Sequence, residues 1–288
     1  MIRRTMTELE FPTEAIEYLA EKNNELLACE AVKDILHDAY DYLFGYKVGD
    51  CLPLIEQIAE ISGIHDNTVA MIFFLNGANT LRYIYKAKGI PDVIWLDSMK
   101  DLRYKLIEYK KLSGLWGTKV GSWFKGYYTL DRFALGRLQF NKGTVKCDCG
   151  DILKAGDTAV FCHIPSSGPL DIEDAKESFR RAREWFKDDF KDGKVPLACS
   201  SWLLYPAMTE RLSDSSNIKK FAALFDIYDE FANPENSAFW RIFYRPYSPE
   251  AVAEIEPKTS LERTVIELIR EGGSLGAGMG LIKDGILD

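Results

Sequence analysis

Between positions 13 and 112 apolar residues return every three or four places among acidic and amide side chains, and turn-forming residues are sparse. That spacing predicts helices over residues 13–29, 32–44, 54–61, 67–87 and 98–109. In the first of them Pro12 precedes a capping Thr13, and Ile16, Leu19, Leu26 and Leu27 fall near one face. Past the glycine-rich stretch SGLWGTKVGSWFKG the period changes. Aromatic and β-branched residues rise, and short runs predict strands over 133–140, 144–147, 158–164, 197–203, 225–228 and 239–244. Helices are expected over 171–190, 216–224 and 260–271. Helices that follow strands point to a mixed sheet. The chain therefore reads as α/β (α+β), with an all-α domain over 1–112 and a mixed-sheet α/β domain over 113–288.

Composition agrees with that division and narrows the partners. A length of 288 residues suits two domains, and 47% hydrophobic with 28% charged residues excludes a disordered, collagenous or coiled-coil chain. The net charge of -8 argues against nucleic acid as a partner of the whole protein. Residues 1–112 hold 13 basic and 18 acidic side chains, a net of -5, and the remainder carries -3. Within the remainder, residues 117–146 set Lys119, Lys125, Arg132, Arg137, Lys142 and Lys146 against one acid, Asp131. With Trp116, Trp123, Phe124, Tyr127, Tyr128 and Phe133 interleaved, this basic stretch suits a phosphorylated ligand with a flat ring, and equally a solvated hairpin with charged outer faces. The first residues lack the apolar core of a secretory signal, and the longest uncharged apolar run, 69–75, is far short of the roughly 20 residues of a membrane span. A cytoplasmic protein with no membrane partner is expected. Cys29, Cys51, Cys147, Cys149, Cys162 and Cys199 are then reduced thiols.

The segment TAVFCHIPSSGPLDIEDAKESFRRAREWF carries the most chemistry. An apolar strand ends at His163, a loop of small residues follows, and an amphipathic helix opens near Asp171. Strand, loop and helix N-terminus is a phosphate-binding arrangement, because unsatisfied backbone N–H groups and the helix dipole converge there. A plain strand-to-helix turn with Asp171 as the cap accounts for the same residues. His163 stands where a general base or acid is useful, and where a structural histidine bonded to backbone also sits. In PLACSSWLLYP, Cys199, Ser200 and Ser201 fall on another strand, yet no G-x-S-x-G elbow supports a serine hydrolase. Cys147-Asp148-Cys149 lacks zinc-ligand spacing and reads as a hairpin turn, so no metal is expected. GGSLGAGMG has no strand before it and no helix after it, which excludes a dinucleotide fingerprint and leaves a bend leading into a last strand. IEQIAEISGIHDNTVAMIFFL imitates a helix-turn-helix, but residues 65–80 contain no Lys or Arg and carry Met71, Ile72, Phe73, Phe74 and Leu75. So apolar a helix belongs in a core rather than on DNA, and His65 is a turn residue or cap.

GRLQF at 136–140, HIPSSGPL at 163–170, CSSWLLYPAM at 199–208, SNIKKFAALFDI at 216–227 and TSLERTVIELIREGG at 259–273 resemble a two-domain bacterial acyltransferase family. Its members have an N-acyltransferase N-terminal domain and a GNAT-like C-terminal domain. The blocks span roughly residues 110–288 in order. The resemblance implies a mixed sheet splayed between two adjacent strands, with acetyl-CoA or another acyl-CoA as co-substrate in the gap and a small-molecule or peptide amine as acceptor. It further implies that the strand ending at His163, the loop with Ile164, Ser166, Ser167 and Gly168, and the following helix hold the pyrophosphate, while Arg137 contacts a phosphate. The amine would attack the thioester directly. His163 is then the candidate base, and Ser200 or Ser201 would position the amine or protonate the thiolate. The loop departs from the usual [QR]-x-x-G-x-[GA] by reading Pro-Ser-Ser-Gly-Pro. A non-catalytic ligand-binding or interaction protein on a GNAT-like fold is the alternative expectation. Nothing in the sequence sets the oligomeric state.

Overall fold

A computed structural model describes residues 2–287. The chain forms two compact units, Met1–Ala134 and Leu135–Asp288. The first contains α1 (Ile2–Glu8), α2 (Thr13–Ala28), α3 (Lys33–Leu43), α4 (Leu52–Ser62), α5 (Asp66–Ala87), α6 (Asp92–Ser113) and α7 (Gly121–Tyr128), and closes with a short strand, β1 (Arg132–Ala134). α5 is its axis. Val69, Met71, Ile72, Phe73, Phe74, Leu75 and Ala78 are all fully buried, and α1, α2, α4, α6 and α7 pack around it. A helix apolar on every side must be enclosed on every side. The imitation helix-turn-helix therefore ends in a core helix, with the His65 ring capping it by accepting the Asn67 N–H.

Sequence character changes near residue 112, at the end of α6, yet the helical unit continues to Ala134. The reason is α7. Phe124 stacks edge-on against Phe74, ring centres 5.3 Å apart, and the Tyr128 hydroxyl donates to the Phe74 carbonyl. The glycine-rich stretch is thus a connection inside this unit, tied to α5 by the Thr118 N–H on the Asn67 carbonyl at 2.8 Å.

The second unit contains β2 (Gln139–Thr144), β3 (Thr158–His163), α8 (Ile172–Phe186), β4 (Leu197–Ser201), α9 (Pro206–Thr209), α10 (Asn217–Ala222), β5 (Phe225–Ala232), α11 (Phe239–Phe243), α12 (Pro249–Glu254), α13 (Ser260–Arg270) and β6 (Gly276–Ile282). Its strands lie in the order β2, β3, β4, β6, β5. β3 and β4 are parallel, joined through α8, and the other neighbours are antiparallel. On one face Phe179 of α8 meets Phe140 and Phe225 at 5.6 and 5.9 Å. On the other, Ala159, Ala198, Met279 and Leu281 pack against Val145 and Cys149 of the turn region. A separate apolar cluster joins α11, α12 and α13 through Phe239, Val252, Val265 and Leu268.

Four expected elements differ, the first being the 144–147 run, of which only Thr144 lies in a strand, as the last residue of β2, because Val145 already turns back to donate its N–H to the Asp157 carbonyl. The 133–140 run is cut by a turn in which Leu135 N–H bonds to the Leu138 carbonyl, with Gly136 at φ +91°. A Cβ there would also lie 3.0 Å from Ser178 Oγ, so the turn needs glycine. Residues 239–243 form the helix α11 instead of a strand, with Tyr244 as its left-handed cap, because Phe239 and Phe243 pair at helical spacing with ring centres 4.4 Å apart. The glycine run bends over residues 272–275 as expected, but from Gly276 it is already part of strand β6, between β4 and β5. Cβ atoms on Gly276, Gly278 or Gly280 would lie 2.4 to 2.7 Å from backbone carbonyls of Phe231, Leu204 and Asp226. Glycine is what lets these backbones approach.

Candidate active site

The parallel pair β3/β4 opens at its C-terminal end. Its last rung is Cys162 against Cys199, whereas β4 continues beside β6 through Ser200↔Met279 and Ser201↔Gly278. His163 and Ser200 are each one residue beyond that rung. By alternation both stand on the face of Ala159, Phe161, Ala198 and Met279, opposite α8. The ends of parallel strands, where backbones part, are where α/β sheets take ligands. Cys162 and Cys199 are buried beneath the opening, and burial, reinforced by a hydrogen bond with Cys199, pushes the Cys162 thiol well above its ordinary range. That thiol is not a nucleophile at neutral pH.

His163 is half-buried, and its Nε2 lies 2.6 Å from Asn141 Oδ1 on β2. Ser200 is exposed. Ser201 is occupied differently, because its Oγ accepts the Leu203 N–H at 3.2 Å and caps the short 3-10 turn Trp202–Leu204. The two serines therefore separate into one accessible hydroxyl and one cap.

After His163 the loop of Ile164, Pro165, Ser166, Ser167, Gly168, Pro169 and Leu170 runs to α8. Asp171 caps that helix, its Oδ1 accepting the N–H groups of Glu173 and Asp174 at 2.9 and 3.1 Å. The Asp171 cap of the plain-turn reading is therefore present. The helix donors nearest the loop go to Asp171, while the N–H groups of Ser166, Ser167 and Gly168 make no hydrogen bond among the described residues. Arg137 holds the loop. Its Nε donates to the Pro169 carbonyl at 3.1 Å, Nη1 to Pro165 at 3.1 Å and Nη2 to Gly168 at 2.9 Å. Arg137 is itself fixed by Ser178 of α8, whose Oγ accepts the Arg137 and Leu138 N–H groups at 2.8 and 3.3 Å. Blocks 136–140 and 163–170 are therefore one interlocked structure.

Several cations of the basic stretch are already engaged within their own units. Lys125 pairs with Asp50 at 2.9 Å, and Lys142 with Asp189 at 3.0 Å. The Arg132 guanidinium lies 3.6 Å from the Trp123 ring centre, and burial lowers its pKa. A cleft of about 610 Å³ lined by Lys142, Asp157, Thr158 and Asp189 sits at the start of β3. That is five residues, roughly 16 Å, from His163. Cys147 and Cys149 form the expected turn, with Cys149 bridged to Leu153 and the Sγ of each 3.9 Å from Met279 Sδ. Among the described residues no helix is long and apolar enough to cross a membrane.

Sequence reasoning missed Asn141 and Ser178. Asn141 lies 22 residues before His163, and only the β2/β3 register brings the two together. Ser178 reads as one more small residue on an amphipathic helix.

Comparison with known proteins agrees with this fold. Residues 1–130 match the family described as N-acyltransferase N-terminal domain, and residues 133–282 match GNAT-like C-terminal domain. Among curated proteins none matches. Similar solved structures include an acyltransferase in complex with decanoyl-CoA and teicoplanin, with TM-score 0.74 and 23% identity over 98% of this chain and 87% of that one. Another is an acyltransferase in complex with decanoyl-CoA, with TM-score 0.76 and 22% identity over 97% and 86% of the two chains. At that identity the likeness is one of fold. With its two matches spanning both units, the chain belongs to the family that joins an N-acyltransferase N-terminal domain to a GNAT-like C-terminal domain.

Proposed function

We propose that the protein is an acyl-CoA-dependent N-acyltransferase that moves an acyl group from a CoA thioester to the amine of a small-molecule or peptide acceptor. One observation carries the reading: past the last β3/β4 rung, His163 and Ser200 share a face beside a loop whose Ser166, Ser167 and Gly168 N–H groups make no hydrogen bond among the described residues. Those three donors suit the pyrophosphate of coenzyme A, because a run of backbone N–H groups favours bound anions. Arg137 acts here by holding the loop rather than by touching phosphate. The acceptor nitrogen attacks the thioester carbonyl carbon, a C–N bond forms, and the C–S electron pair leaves on sulfur. His163 takes the amine proton. Ser200, the accessible hydroxyl of the pair, protonates the departing thiolate, and Ser201 remains a cap. The complexes of similar structures with decanoyl-CoA make medium-chain donors the first to try. A cytoplasmic setting suits both the donor and the six free thiols.

The test is CoA-thiol release from acetyl- to decanoyl-CoA across a panel of amines, with calorimetry for binding. His163→Ala is expected to lower turnover by about 10² or more with donor binding retained. Full turnover in a folded His163→Ala protein removes the base. Failure of every acyl-CoA to bind selects the non-catalytic alternative.

A further inference from the structure

We infer that Asn141 is a positioning residue that fixes the His163 ring with its proton on Nε2, so that Nδ1 is the atom that accepts the proton. The inference rests on His163 acting as the base and names which nitrogen does so.

The argument begins with the amide of Asn141. Its Nδ2 donates to the Lys142 carbonyl at 2.8 Å, and its Oδ1 lies 2.6 Å from His163 Nε2. A backbone carbonyl only accepts, so the amide must turn its NH₂ end toward Lys142. That orientation presents the oxygen end to His163. An amide oxygen also only accepts, so Nε2 must be the donor. A neutral imidazole carries one N–H, which leaves the lone pair on Nδ1.

The strands hold this arrangement. Asn141 pairs with Phe161 across β2 and β3, and His163 is two residues further along the same face, a diagonal neighbour within reach of an amide side chain. During transfer the acceptor nitrogen forms its bond to the acyl carbon and the C–S pair leaves on sulfur. The amine proton moves to Nδ1 and passes from the imidazolium, through water, to the Ser200 oxygen, which has given its own proton to the thiolate. The Nε2–H to Oδ1 hydrogen bond persists throughout and becomes charge-assisted once the ring is protonated, so the cation is stabilised with no change of geometry. Asn141 differs here from a carboxylate, since its neutral oxygen orients the ring without adding a second charge to the site.

The experiment reads the tautomer directly. The chain has three histidines, so a ring-¹⁵N-labelled full-length protein gives three imidazole signals, and His163→Gln identifies that of His163. Long-range ¹H–¹⁵N correlation at a pH where the ring is neutral is expected to show Nε2 protonated in the unmodified protein, a measurement that needs no variant to fold. Asn141→Asp keeps an accepting oxygen and is expected to keep the same tautomer. Asn141→Leu removes it and is expected to give a mixture, with kcat lowered on the order of 10-fold and KM for acyl-CoA within about twofold. A proton on Nδ1 in the unmodified protein, or an unchanged tautomer in Asn141→Leu, overturns the inference. If Asn141→Leu shifts the tautomer while His163→Ala turns over normally, the base assignment fails and the orienting role of Asn141 stands. If His163→Ala is inactive while Asn141→Leu keeps both tautomer and kcat, the reverse holds.

Discussion

Arg137 and Ser178 show how much of a site is decided by side chains that need never touch a substrate. Three carbonyls of one loop accept from a single guanidinium, and that arginine's own N–H is held by a buried serine. A lysine cannot reproduce a planar three-way grip. Arg137→Lys is accordingly expected to raise KM for acyl-CoA by roughly 10-fold and to leave kcat nearly unchanged, as steady-state kinetics will show. Ser178→Ala strands two backbone donors in a buried turn and is expected to cost about 1–3 kcal/mol in denaturant unfolding. Neither role was legible in the sequence. The place of His163 at the end of its strand was, since an apolar strand run breaks there into Pro-Ser-Ser-Gly-Pro. Backbone carbonyls and cross-strand partners leave no residue signature, so Arg137 looked like a phosphate ligand and Asn141 drew no notice.

Among the elements, α5 was the plainest in the sequence and is the most consequential for the helical unit. Its 22 residues carry apolar side chains on all sides, and Phe74 contacts Phe73, Phe124 and Tyr128 within ring distances of 5.3 to 5.5 Å. Phe74→Ala should lower the unfolding free energy by about 3–5 kcal/mol, measured by urea titration. α11 and β6 were misread for opposite reasons. Aromatic residues with high strand propensity at 239–243 fold as a helix because two phenylalanines stack one turn apart. Glycines with low strand propensity at 276–280 fold as a strand because neighbouring carbonyls leave no room for a side chain. In both, packing overrides propensity, and packing is set by residues remote in sequence.

Across the whole molecule, the acidic charge balance predicts how the protein responds to acid. The Arg103 guanidinium, with Lys100, holds the Glu10 carboxyl below its ordinary 4.5, and Arg82 holds Asp92 below its ordinary 3.8. A carboxyl whose pKa is depressed by folding contributes stability that is full above its unfolded pKa and is lost as pH falls through the folded one. The melting temperature is therefore expected to be insensitive to these pairs above about pH 5 and to fall below about pH 4.5. Glu10→Gln should make that acid limb shallower in a calorimetric pH series. Because these carboxylates are exposed, the effect of each is small. The division into a helical and a mixed-sheet part was legible from the change of period, but its position was not. Residues 121–128 look like the start of something new because they are glycine-rich and aromatic, yet those aromatics are what α5 buries.

The grip of Arg137 has a consequence on the far side of each peptide plane. A trans peptide sets its C=O and the following N–H in opposite directions. Drawing the Pro165 and Pro169 carbonyls toward the guanidinium therefore turns the Ser166 and Leu170 N–H groups away from it. The cation thus works at one remove, as the keel of a small polarised platform with amide hydrogen on its upper surface, and on the proposed reading the charge an incoming anion would meet is carried by the backbone.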